Sequence, residues 1–171
     1  MNGTSVDAQT RVFVALGSNL GERQRHISQA CVEISALPDV RELRCSSVFE
    51  TDPMGPQNQP DYLNAVCQFY YGESPRMLLN ELQSIEKAHG RVKKKSRWTA
   101  RPLDLDILLF GDEQIDEPDL QIPHIGIAER SFVIWPLLEL QPGLSIPGLG
   151  PAVEFKKQCQ AFGIQKYKGF S

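Results

Sequence analysis

Hydrophobic and acidic residues alternate in one stretch near the middle of the chain, and this alternation predicts a β-strand. Leu103, Leu105 and Ile107 fall on one face of such a strand, and Asp104 and Asp106 fall on the other. Residues that share a strand face lie about 6–7 Å apart, so the two carboxylates can point to the same place. Like charges at that distance repel each other unless a cation lies between them. Carboxylate oxygens are preferred ligands of Mg²⁺, and the pair is therefore a candidate magnesium site.

A basic segment comes directly before this strand and changes the interpretation of the two acids. It holds six cationic residues and no acid: Arg91, Lys93, Lys94, Lys95, Arg97 and Arg101. Each feature has an ordinary explanation when it is taken separately. Alternating acids are common on the solvated face of a half-buried sheet, and basic runs are common in solvated loops and nucleic-acid patches. An acidic pair beside clustered cations, however, suits a polyphosphate, whose oxygens a metal ion and guanidinium groups can share.

The rest of the hydrophobic pattern predicts elements in the order strand, helix, strand, strand, helix, strand. Apolar or alternating stretches predict strands, and apolar residues at steps of three and four predict helices. The predicted strands are residues 11–16, 40–50, 61–71 and 103–110, and the predicted helices are residues 22–37 and 74–89. The later segments are a turn-rich stretch with a hairpin at 111–123, a buried apolar run at 132–138, a long turn at 142–151 and a helix at 152–162. This order predicts an α+β, ferredoxin-like βαββαβ core, in which helices pack on one face of an antiparallel sheet, followed by C-terminal additions.

Two further segments are candidates for parts of a binding site. Residues 51–60 contain three prolines, which favours a stiff loop that serves as a spacer or as one wall of a site. Tyr62 and Asn64 share a face of the strand that follows, where they could stack on and hydrogen-bond a flat heterocycle, although such a tyrosine is more often a cross-strand packing residue. Residues 17–21 form a glycine-rich segment without the P-loop or dinucleotide spacing, so they predict only a tight turn with positive φ.

Composition limits the class of protein. The chain has 171 residues, 41% hydrophobic and 23% charged, with a net charge of −3, which predicts one globular domain and disfavours a dedicated nucleic-acid binder. Its four cysteines are widely spaced and its three histidines lack metal-ligand spacing, so we expect free thiols and a cytoplasmic location. No apolar run is long enough to span a membrane. We expect a polar, disordered leader at residues 1–10, a single domain at residues 11–171, and a monomer.

Four groups of residues follow one another along the chain and resemble one known family. They are ALGSNLG (15–21), ETDPMGPQNQPDYLN (50–64), GR (90–91) through RW (97–98) to RPLDLD (101–106), and PH (123–124) with RSF (130–132) and WPL (135–137). Together they resemble the 6-hydroxymethyl-7,8-dihydropterin pyrophosphokinases of folate biosynthesis, over residues 12–140. The resemblance implies a transferase that moves pyrophosphate from ATP to the hydroxymethyl group of the pterin and releases AMP.

The resemblance also implies roles for individual residues. Asp104 and Asp106 would hold two Mg²⁺ ions and would be catalytic together with Arg91 and Arg101. The implied ATP-binding residues are Gln83, Glu86, Arg91, Lys94, Arg97, Trp98, Arg101, Ile107, His124 and Arg130. The implied pterin-binding residues are Thr51, Pro53, Met54, Tyr62, Asn64, Asp104 and Phe132, with the ring between Tyr62 and Phe132. No general base is obvious, which suits phosphoryl chemistry because positioning and charge neutralisation supply most of the catalysis.

Three departures from the family pattern are visible. Thr99-Ala100 stands where many members have Gly-Pro, Ile125 stands where some have Tyr or Pro, and Asn58 stands where Asp is common. None of these positions touches the acidic pair or the pterin clamp. Residues 91–100 are poorly suited to burial, and we expect them to close over ATP.

Two other functions remain open from the residues themselves. A ferredoxin-like RNA-binding domain would use the basic segment for phosphate contacts, but it would also need an exposed aromatic motif on its central strands, and the sequence shows none. A different Mg²⁺-dependent kinase or a nucleotidyltransferase would share the acidic pair. Its products would distinguish it, because a kinase gives ADP and a nucleotidyltransferase releases pyrophosphate. We expect ATP and the pterin as small-molecule partners, and neither a nucleic acid nor a membrane.

Overall fold

The computed structural model of the chain describes residues 9–52, 60–90, 101–159 and 163–168. Residues 1–8 of the leader predicted at residues 1–10 lie outside the described ranges. The first strand begins at Thr10, which is the last residue of the predicted leader. In chain order the elements are β1 (Thr10–Ser18), α1 (Arg23–Ser35), β2 (Val40–Cys45), β3 (Phe49–Thr51), β4 (Tyr62–Tyr71), α2 (Pro75–Ala88), β5 (Asp104–Phe110), β6 (Ile115–Glu117), β7 (Leu120–Ile122), α3 (Ser131–Leu140), β8 (Ser145–Ile146), β9 (Gly150–Pro151), α4 (Ala152–Gln158) and β10 (Gln165–Lys166).

The main sheet has the predicted ferredoxin-like order. Its strands lie in the order β10-β3-β4-β1-β5, β2 also pairs with β4, and every pairing is antiparallel. The single strand predicted at residues 40–50 is in fact two strands, β2 and β3. Between them, the Ser46 hydroxyl accepts a hydrogen bond from the Val66 amide at 2.9 Å, so a side chain replaces a strand carbonyl at this point. When β2 and β3 are counted as one interrupted strand, the order is fourth, first, third, second.

The two predicted helices pack on one face of this sheet and close the larger core. On α1 the residues Ile27, Ala30 and Ile34 are buried, at the steps of three and four that predicted the helix. On α2 the Ser74 hydroxyl caps the first turn by accepting from the Met77 amide at 3.1 Å. The sheet contributes its alternate apolar side chains to this core, among them Val12, Val14, Leu16, Cys67, Phe69, Leu103, Leu105 and Ile107.

The C-terminal additions cover part of the other face of the sheet with helix, a position that the sequence did not predict for them. α3 packs across β4 and, with α4, builds a second core from Phe13, Val66, Leu108, Leu109, Val133, Ile134 and Leu137. The apolar run predicted at 132–138 is therefore buried, as expected, and is helical. α3 leaves the end of this face beside β5 and the start of β4 uncovered by helix, and a cavity lies there.

The C-terminal half differs from the prediction in detail. The predicted hairpin is present as β6 and β7, while the long turn at 142–151 contains the short pair β8 and β9. Within the described residues the last helix ends at Gln158, and residues 160–162 of its predicted range lie outside them. β10, which the sequence pattern did not predict, adds a strand beside β3. In the described ranges, no helix combines the length and apolar character needed to cross a membrane.

Candidate active site

Three neighbouring strands form the floor of the cavity, and small residues on the central one leave space above it. In the pairing of β1 with β5, Gly17 is opposite Asp104 and Ala15 is opposite Asp106; in the pairing with β4, Gly17 is opposite Asn64. Because neighbouring strands lie about 4.8 Å apart, Asp104 and Asn64 are separated by roughly 10 Å with only a glycine between them. The carboxylates therefore stand on one side of an open floor and a carboxamide on the other.

Gly17 provides space at this point, which corrects the predicted turn at residues 17–21. Gly17 and Ser18 are the last residues of β1, and within this segment Gly21 has the positive φ, at 72°. A Cβ on Gly17 would lie 3.2 Å from Asn64 Oδ1 and 3.6 Å from Tyr62 Cδ1. Even alanine would therefore crowd the side chains that border the cavity. The sequence singled out Gly17 for its conformational freedom, whereas the structure uses its small volume.

One end of the cavity is formed by flat apolar rings and a fixed amide. Asn64 Nδ2 donates to Thr51 Oγ1 at 2.7 Å, and both residues are buried. With its NH₂ group directed at Thr51, the amide places Oδ1, an acceptor, beside Gly17. Tyr62 from the start of β4 and Phe132 from the first turn of α3 line the same cavity. The structure thus brings together four of the residues that the sequence predicted for the pterin, in an arrangement that could hold a flat heterocycle.

The acidic pair lies at the other side of the floor. The side chain of Asp104 is 22% exposed and that of Asp106 is 41% exposed, so both keep access to the cavity. Arg101 Nη1 donates to Asp104 Oδ2 at 3.1 Å, and the Arg101 side chain is only 8% exposed. A buried guanidinium has five donors, which lets it hold the carboxylate and still donate to a phosphate. The predicted convergence of cation and acids is present at Arg101.

The two acids fit Mg²⁺ better than a metal that needs a full set of protein ligands. In the part of the chain that the structure describes, no group of three or more His, Cys, Asp and Glu side chains could hold a metal ion. A structural zinc site would need four such ligands. Mg²⁺ is typically bound through one or two carboxylates, with water and substrate phosphates supplying the remaining oxygens. The donor set of Asp104 and Asp106 is of this second kind.

His124 borders the acidic side as a neutral hydrogen-bond donor. Its Nδ1 accepts from the Gly126 amide at 3.0 Å, which leaves the proton on Nε2, and Nε2 lies 4.0 Å from Asp106 Oδ2. Burial, followed by the charge of Arg130, lowers the pKa of His124 to about 4, while Asp104 acts in the opposite direction. The imidazole is therefore uncharged at neutral pH. It can donate one hydrogen bond into the cavity without adding charge.

Arg130 is the second described cation of the predicted phosphate-binding set, and it lies just before α3. Its guanidinium carbon is 5.7 Å from the centre of the Phe132 ring, a distance typical of cation–π contact. A Cβ on Gly126 would come within 2.7 Å of Arg130 Nε, so this glycine makes room for the guanidinium. Arg130 consequently joins the aromatic end of the cavity to its basic side.

Asn19 holds the backbone around the cavity together, and sequence reasoning missed it. Its Oδ1 accepts from the Arg101 amide at 2.8 Å, its own amide donates to the Arg101 carbonyl at 3.1 Å, and its Nδ2 donates to the Pro60 carbonyl at 3.3 Å. This buried residue therefore ties the end of β1 to the residues that lead into β5 and β4. An asparagine after a strand signals side-chain bonding to backbone, but its partners, 82 and 41 residues away, give no local signal.

Several predicted site residues are not brought to the cavity. Glu86 is buried on α2, where its Oε2 accepts from the Leu105 amide at 2.7 Å and so supports β5 from the opposite face. Gln83 is exposed on α2, and the Ile107 side chain is buried in the larger core. The cavity lining includes none of the three. The remaining predicted residues, Pro53, Met54, Arg91, Lys94, Arg97 and Trp98, and the segment expected to close over ATP, lie outside the described residues.

The cavity thus combines two aromatic rings and a fixed amide at one end with an acidic pair and two cations at the other. Residues 13–142 match the family model described as 7,8-dihydro-6-hydroxymethylpterin-pyrophosphokinase. Over 159 residues the chain is 41% identical to the 2-amino-4-hydroxy-6-hydroxymethyldihydropteridine pyrophosphokinase of Pseudomonas aeruginosa, covering 93% of this chain and 98% of that protein. With the enzyme of the same name from Haemophilus influenzae it shares 44% identity over 146 residues, covering 85% and 91%. The chain belongs to the 7,8-dihydro-6-hydroxymethylpterin-pyrophosphokinase family.

Solved structures agree on the fold. The chain is similar to a crystal structure of Plasmodium falciparum HPPK-DHPS, with a TM-score of 0.68 and 13% identity. The match covers 88% of this chain and 45% of that one, so the present chain spans less than half of the longer protein. At such low identity the likeness concerns the fold only, and it confirms the α+β architecture that the sequence predicted.

Proposed function

We propose that the cavity between β5, β4 and α3 is the active site of this pyrophosphokinase. As a member of its family, the chain transfers a pyrophosphoryl group from ATP to the hydroxymethyl group of 6-hydroxymethyl-7,8-dihydropterin in folate biosynthesis, and AMP is the other product. The observation that carries the site is the row formed by Asp104, Gly17 and Asn64 across three strands. Along this row the acids come first, then the open floor and then the amide. A pterin whose ring lies beside the amide would therefore direct its hydroxymethyl group at the acids.

The pterin occupies the floor above Gly17. Its ring lies between Tyr62 and Phe132, which line the cavity from β4 and α3, and aromatic faces stack favourably on flat rings. Asn64 Oδ1 accepts from an N–H of the ring edge, because its NH₂ group is already directed at Thr51. The hydroxymethyl group then points along the row to Asp104.

ATP lies on the acidic and basic side of the floor. Asp104 and Asp106 would hold two Mg²⁺ ions, which supply charge neutralisation and orientation of the phosphates. Arg101, Arg130 and the Nε2–H of His124 donate to phosphate oxygens. The hydroxymethyl oxygen forms a bond to the β-phosphorus, the bond from that phosphorus to the oxygen of AMP breaks, and the hydroxyl proton passes to water. Fixed donors suit this reaction, because phosphoryl transfer is catalysed mainly by positioning and charge neutralisation.

The cellular location and the oligomeric state of the chain are also part of this proposal. The four cysteines are free thiols, which suits a reducing compartment such as the cytoplasm. We propose that the chain works there as a monomer on small-molecule substrates. The family assignment disfavours the two alternatives considered above, the RNA-binding domain and the kinase or nucleotidyltransferase of another type.

Product analysis tests the reaction and the metal together. The chain is incubated with ATP, Mg²⁺ and 6-hydroxymethyl-7,8-dihydropterin, with and without a chelator, and the nucleotide products are separated. We expect AMP that depends on both the pterin and Mg²⁺. ADP would indicate a kinase, released pyrophosphate would indicate a nucleotidyltransferase, and AMP formation that survives chelation would contradict the metal site.

Gly17→Ala tests the pterin position within the cavity. The added methyl group would crowd Asn64 Oδ1 at 3.2 Å, so we expect the KM for the pterin to rise by about tenfold with a smaller change in the KM for ATP. Gly143→Ala is a matched control, since a Cβ there would meet no atom within 4 Å. An unchanged pterin KM in Gly17→Ala would place the ring elsewhere.

A further inference from the structure

Two cysteines face each other on the side of the sheet that lies opposite the cavity. Cys31 is on α1, Cys45 is the last residue of β2, and their Sγ atoms are 2.8 Å apart. Cys31 packs against the larger core beside α1, and Cys45 pairs with Cys67 of β4 in the sheet. The two thiols are 14 residues apart in sequence and belong to different elements. The two thiols are therefore brought together by the packing of α1 on β2.

The positions of these elements favour a covalent bond between the two sulfurs. The length of a disulfide bond is about 2.05 Å, so the sulfur atoms are within about 1 Å of bonding distance. α1 packs directly on β2, which keeps the two side chains together while they react. Neither cysteine lines the cavity.

The two thiols differ in a way that defines their order of reaction. Cys45 is exposed and Cys31 is partly buried. Within the hydrogen-bonded pair the pKa of Cys45 is lowered by its contact with Cys31, whereas this contact and burial raise the pKa of Cys31. Because the thiolate is the attacking form, Cys45 is the group that meets an oxidant first. Cys31 can then attack the sulfur of Cys45 and displace the group that the oxidant has left on it.

We propose that Cys31 and Cys45 form a reversible disulfide by exchange with a small-molecule disulfide such as oxidised glutathione. The Cys45 thiolate attacks one sulfur of the oxidant, which forms a mixed disulfide and releases one thiolate. Cys31 then loses its proton and attacks the Cys45 sulfur, the mixed disulfide breaks, and the second small thiolate leaves. Two protein thiols are oxidised, the small disulfide is reduced to two thiols, and a small-molecule thiol reverses the reaction.

The other two cysteines are excluded from this exchange by their surroundings. Cys67 is fully buried between strands, and burial raises the pKa of its thiol. Cys159 follows α4 and donates to the Ala128 carbonyl at 3.2 Å. It belongs to the second core, on the other side of the sheet. The exchange should therefore consume one pair of thiols.

The disulfide would fasten α1 to β2 without closing the cavity. A cross-link restricts the unfolded chain and so stabilises the folded one, and the loop between Cys31 and Cys45 is short. We expect the oxidised form to melt about 5 °C or more above the reduced form. Because the cavity lies on the opposite face, we expect the oxidised form to keep its pyrophosphokinase activity. The proposal rests on the thiol pair and is independent of the assignment of the cavity.

The test uses the full chain and oxidised glutathione as the probe. After equilibration at a series of glutathione ratios, the remaining thiols are alkylated, and the chain is analysed by mass spectrometry intact and after digestion. We expect the number of alkylated thiols to fall from four to two, with a cross-link between the peptides that contain Cys31 and Cys45. Addition of excess reduced glutathione should restore four alkylated thiols and the lower melting temperature.

Variants separate the proposed pair from other thiol chemistry. Cys31→Ser should leave Cys45 with a glutathione adduct, no cross-link and no gain in melting temperature. Cys159→Ser is the matched control and should form the same cross-link as the unaltered chain. Four alkylated thiols at every glutathione ratio would overturn the proposal, as would a cross-link that contains Cys67 or Cys159. A fall in melting temperature on oxidation would overturn the expected stabilisation, because it would show that the bond forces α1 and β2 apart.

Discussion

The two faces of the main sheet are built from alternate residues of the same strands, yet they serve different purposes. On β5, Leu105 is buried in the larger core beneath α2, while its neighbours Asp104 and Asp106 face the cavity. On β1, Leu16 belongs to the larger core and Gly17 to the cavity floor. A difference of one sequence position therefore separates a residue that holds the fold from a residue that serves the substrates.

The physical reason lies in the cost of burying charge. Removing a leucine side chain from water stabilises the fold by about 1.5–3 kcal/mol, so Leu105 favours a face that helices cover completely. A carboxylate loses its hydration on burial, and this cost is offset only when the carboxylate is paired and hydrogen-bonded. Asp104 accordingly keeps 22% exposure and a hydrogen bond from Arg101. The face that α3 covers incompletely is the one that can carry acids.

The largest effect on activity should come from the acids. Asp104→Ala and Asp106→Ala remove the proposed metal ligands, and we expect kcat to fall about a hundredfold or more. Asp106→Ala should leave the melting temperature nearly unchanged, because this side chain is 41% exposed. Asp104→Ala should also lower the melting temperature, because the buried Arg101 guanidinium loses its carboxylate. Asp112→Ala, at an exposed turn, is the control and should keep full activity. Turnover is measured as AMP formation at saturating Mg²⁺. Near-normal turnover in either cavity variant would contradict the metal assignment.

The neighbouring residue should show the reverse pattern. Leu105→Ala removes a buried side chain from the larger core, and we expect the free energy of unfolding to fall by about 2–5 kcal/mol, measured by urea titration. Once corrected for the folded fraction, kcat should remain near the original value. Leu149→Ala, whose side chain is half exposed, should change stability by less than about 0.5 kcal/mol. A loss of kcat in folded Leu105→Ala as large as that in Asp104→Ala would show that the two faces are not separable.

The sequence was informative wherever a local period reports on burial. Alternation along β5 assigned Leu105 and Asp104 to opposite faces correctly, and the steps of three and four located α1 and α2 within two residues. The order of these elements then predicted the antiparallel core. A local period cannot show which distant element covers a face, and this is why the packing of α3 on the second face was missed.

Long-range hydrogen bonds were the other limit of sequence reasoning. The resemblance to the family implied that Glu86 binds ATP, and no local pattern could show that its carboxylate accepts from the Leu105 amide. The role of Asn19 depends on Arg101 and Pro60, which become its neighbours only in the folded chain. In the resemblance to the family, Asn19 and Gly17 stood inside a matching motif without any chemistry. The structure around the end of β1 explains both residues. Gly17 leaves space above the cavity floor, and Asn19 holds the surrounding backbone together.

Asn19 contributes both to the stability of the fold and to the position of Arg101 in the cavity. Its variants should therefore change both stability and activity, each by less than the variants above. Asn19→Ala leaves the buried Arg101 amide without its side-chain acceptor, and we expect the free energy of unfolding to fall by about 1–3 kcal/mol. Asn19→Asp keeps that acceptor and loses the donor to Pro60. In Asn19→Ala we expect the KM for ATP to rise more than the KM for the pterin, because Arg101 loses its fixed position.

Asn80→Ala, at an exposed position of α2, is the control for these measurements. It should alter neither KM and should leave the unfolding free energy within about 0.5 kcal/mol of the original. Equal changes of both KM values in Asn19→Ala and Asn19→Asp would indicate a general loosening of the fold, and would remove the specific link to Arg101.

The smallest expected effect concerns the pH dependence of stability on the cavity face. The pKa of His124 in the folded chain is lowered to about 4, mainly by burial, and it lies below the unfolded value of about 6.5. A lowered folded pKa means that the unfolded chain binds the proton first, so the stabilisation is complete above pH 6.5 and is lost as pH falls toward 4. Between pH 7 and pH 6 the loss should be roughly 0.7 kcal/mol.

His124→Gln isolates this contribution, because His26, whose pKa is also lowered by burial, is present in both proteins. We expect the unfolding free energy of metal-free His124→Gln to depend less on pH in this range than that of the unaltered chain. In the unaltered chain, the imidazole signals of His124 should titrate near pH 4 by NMR. A midpoint near 6.5, or identical pH profiles for the two proteins, would show that the cavity is wetter at His124 than its burial beside Arg130 implies. The neutral donor assigned to the phosphate side would then be a cation.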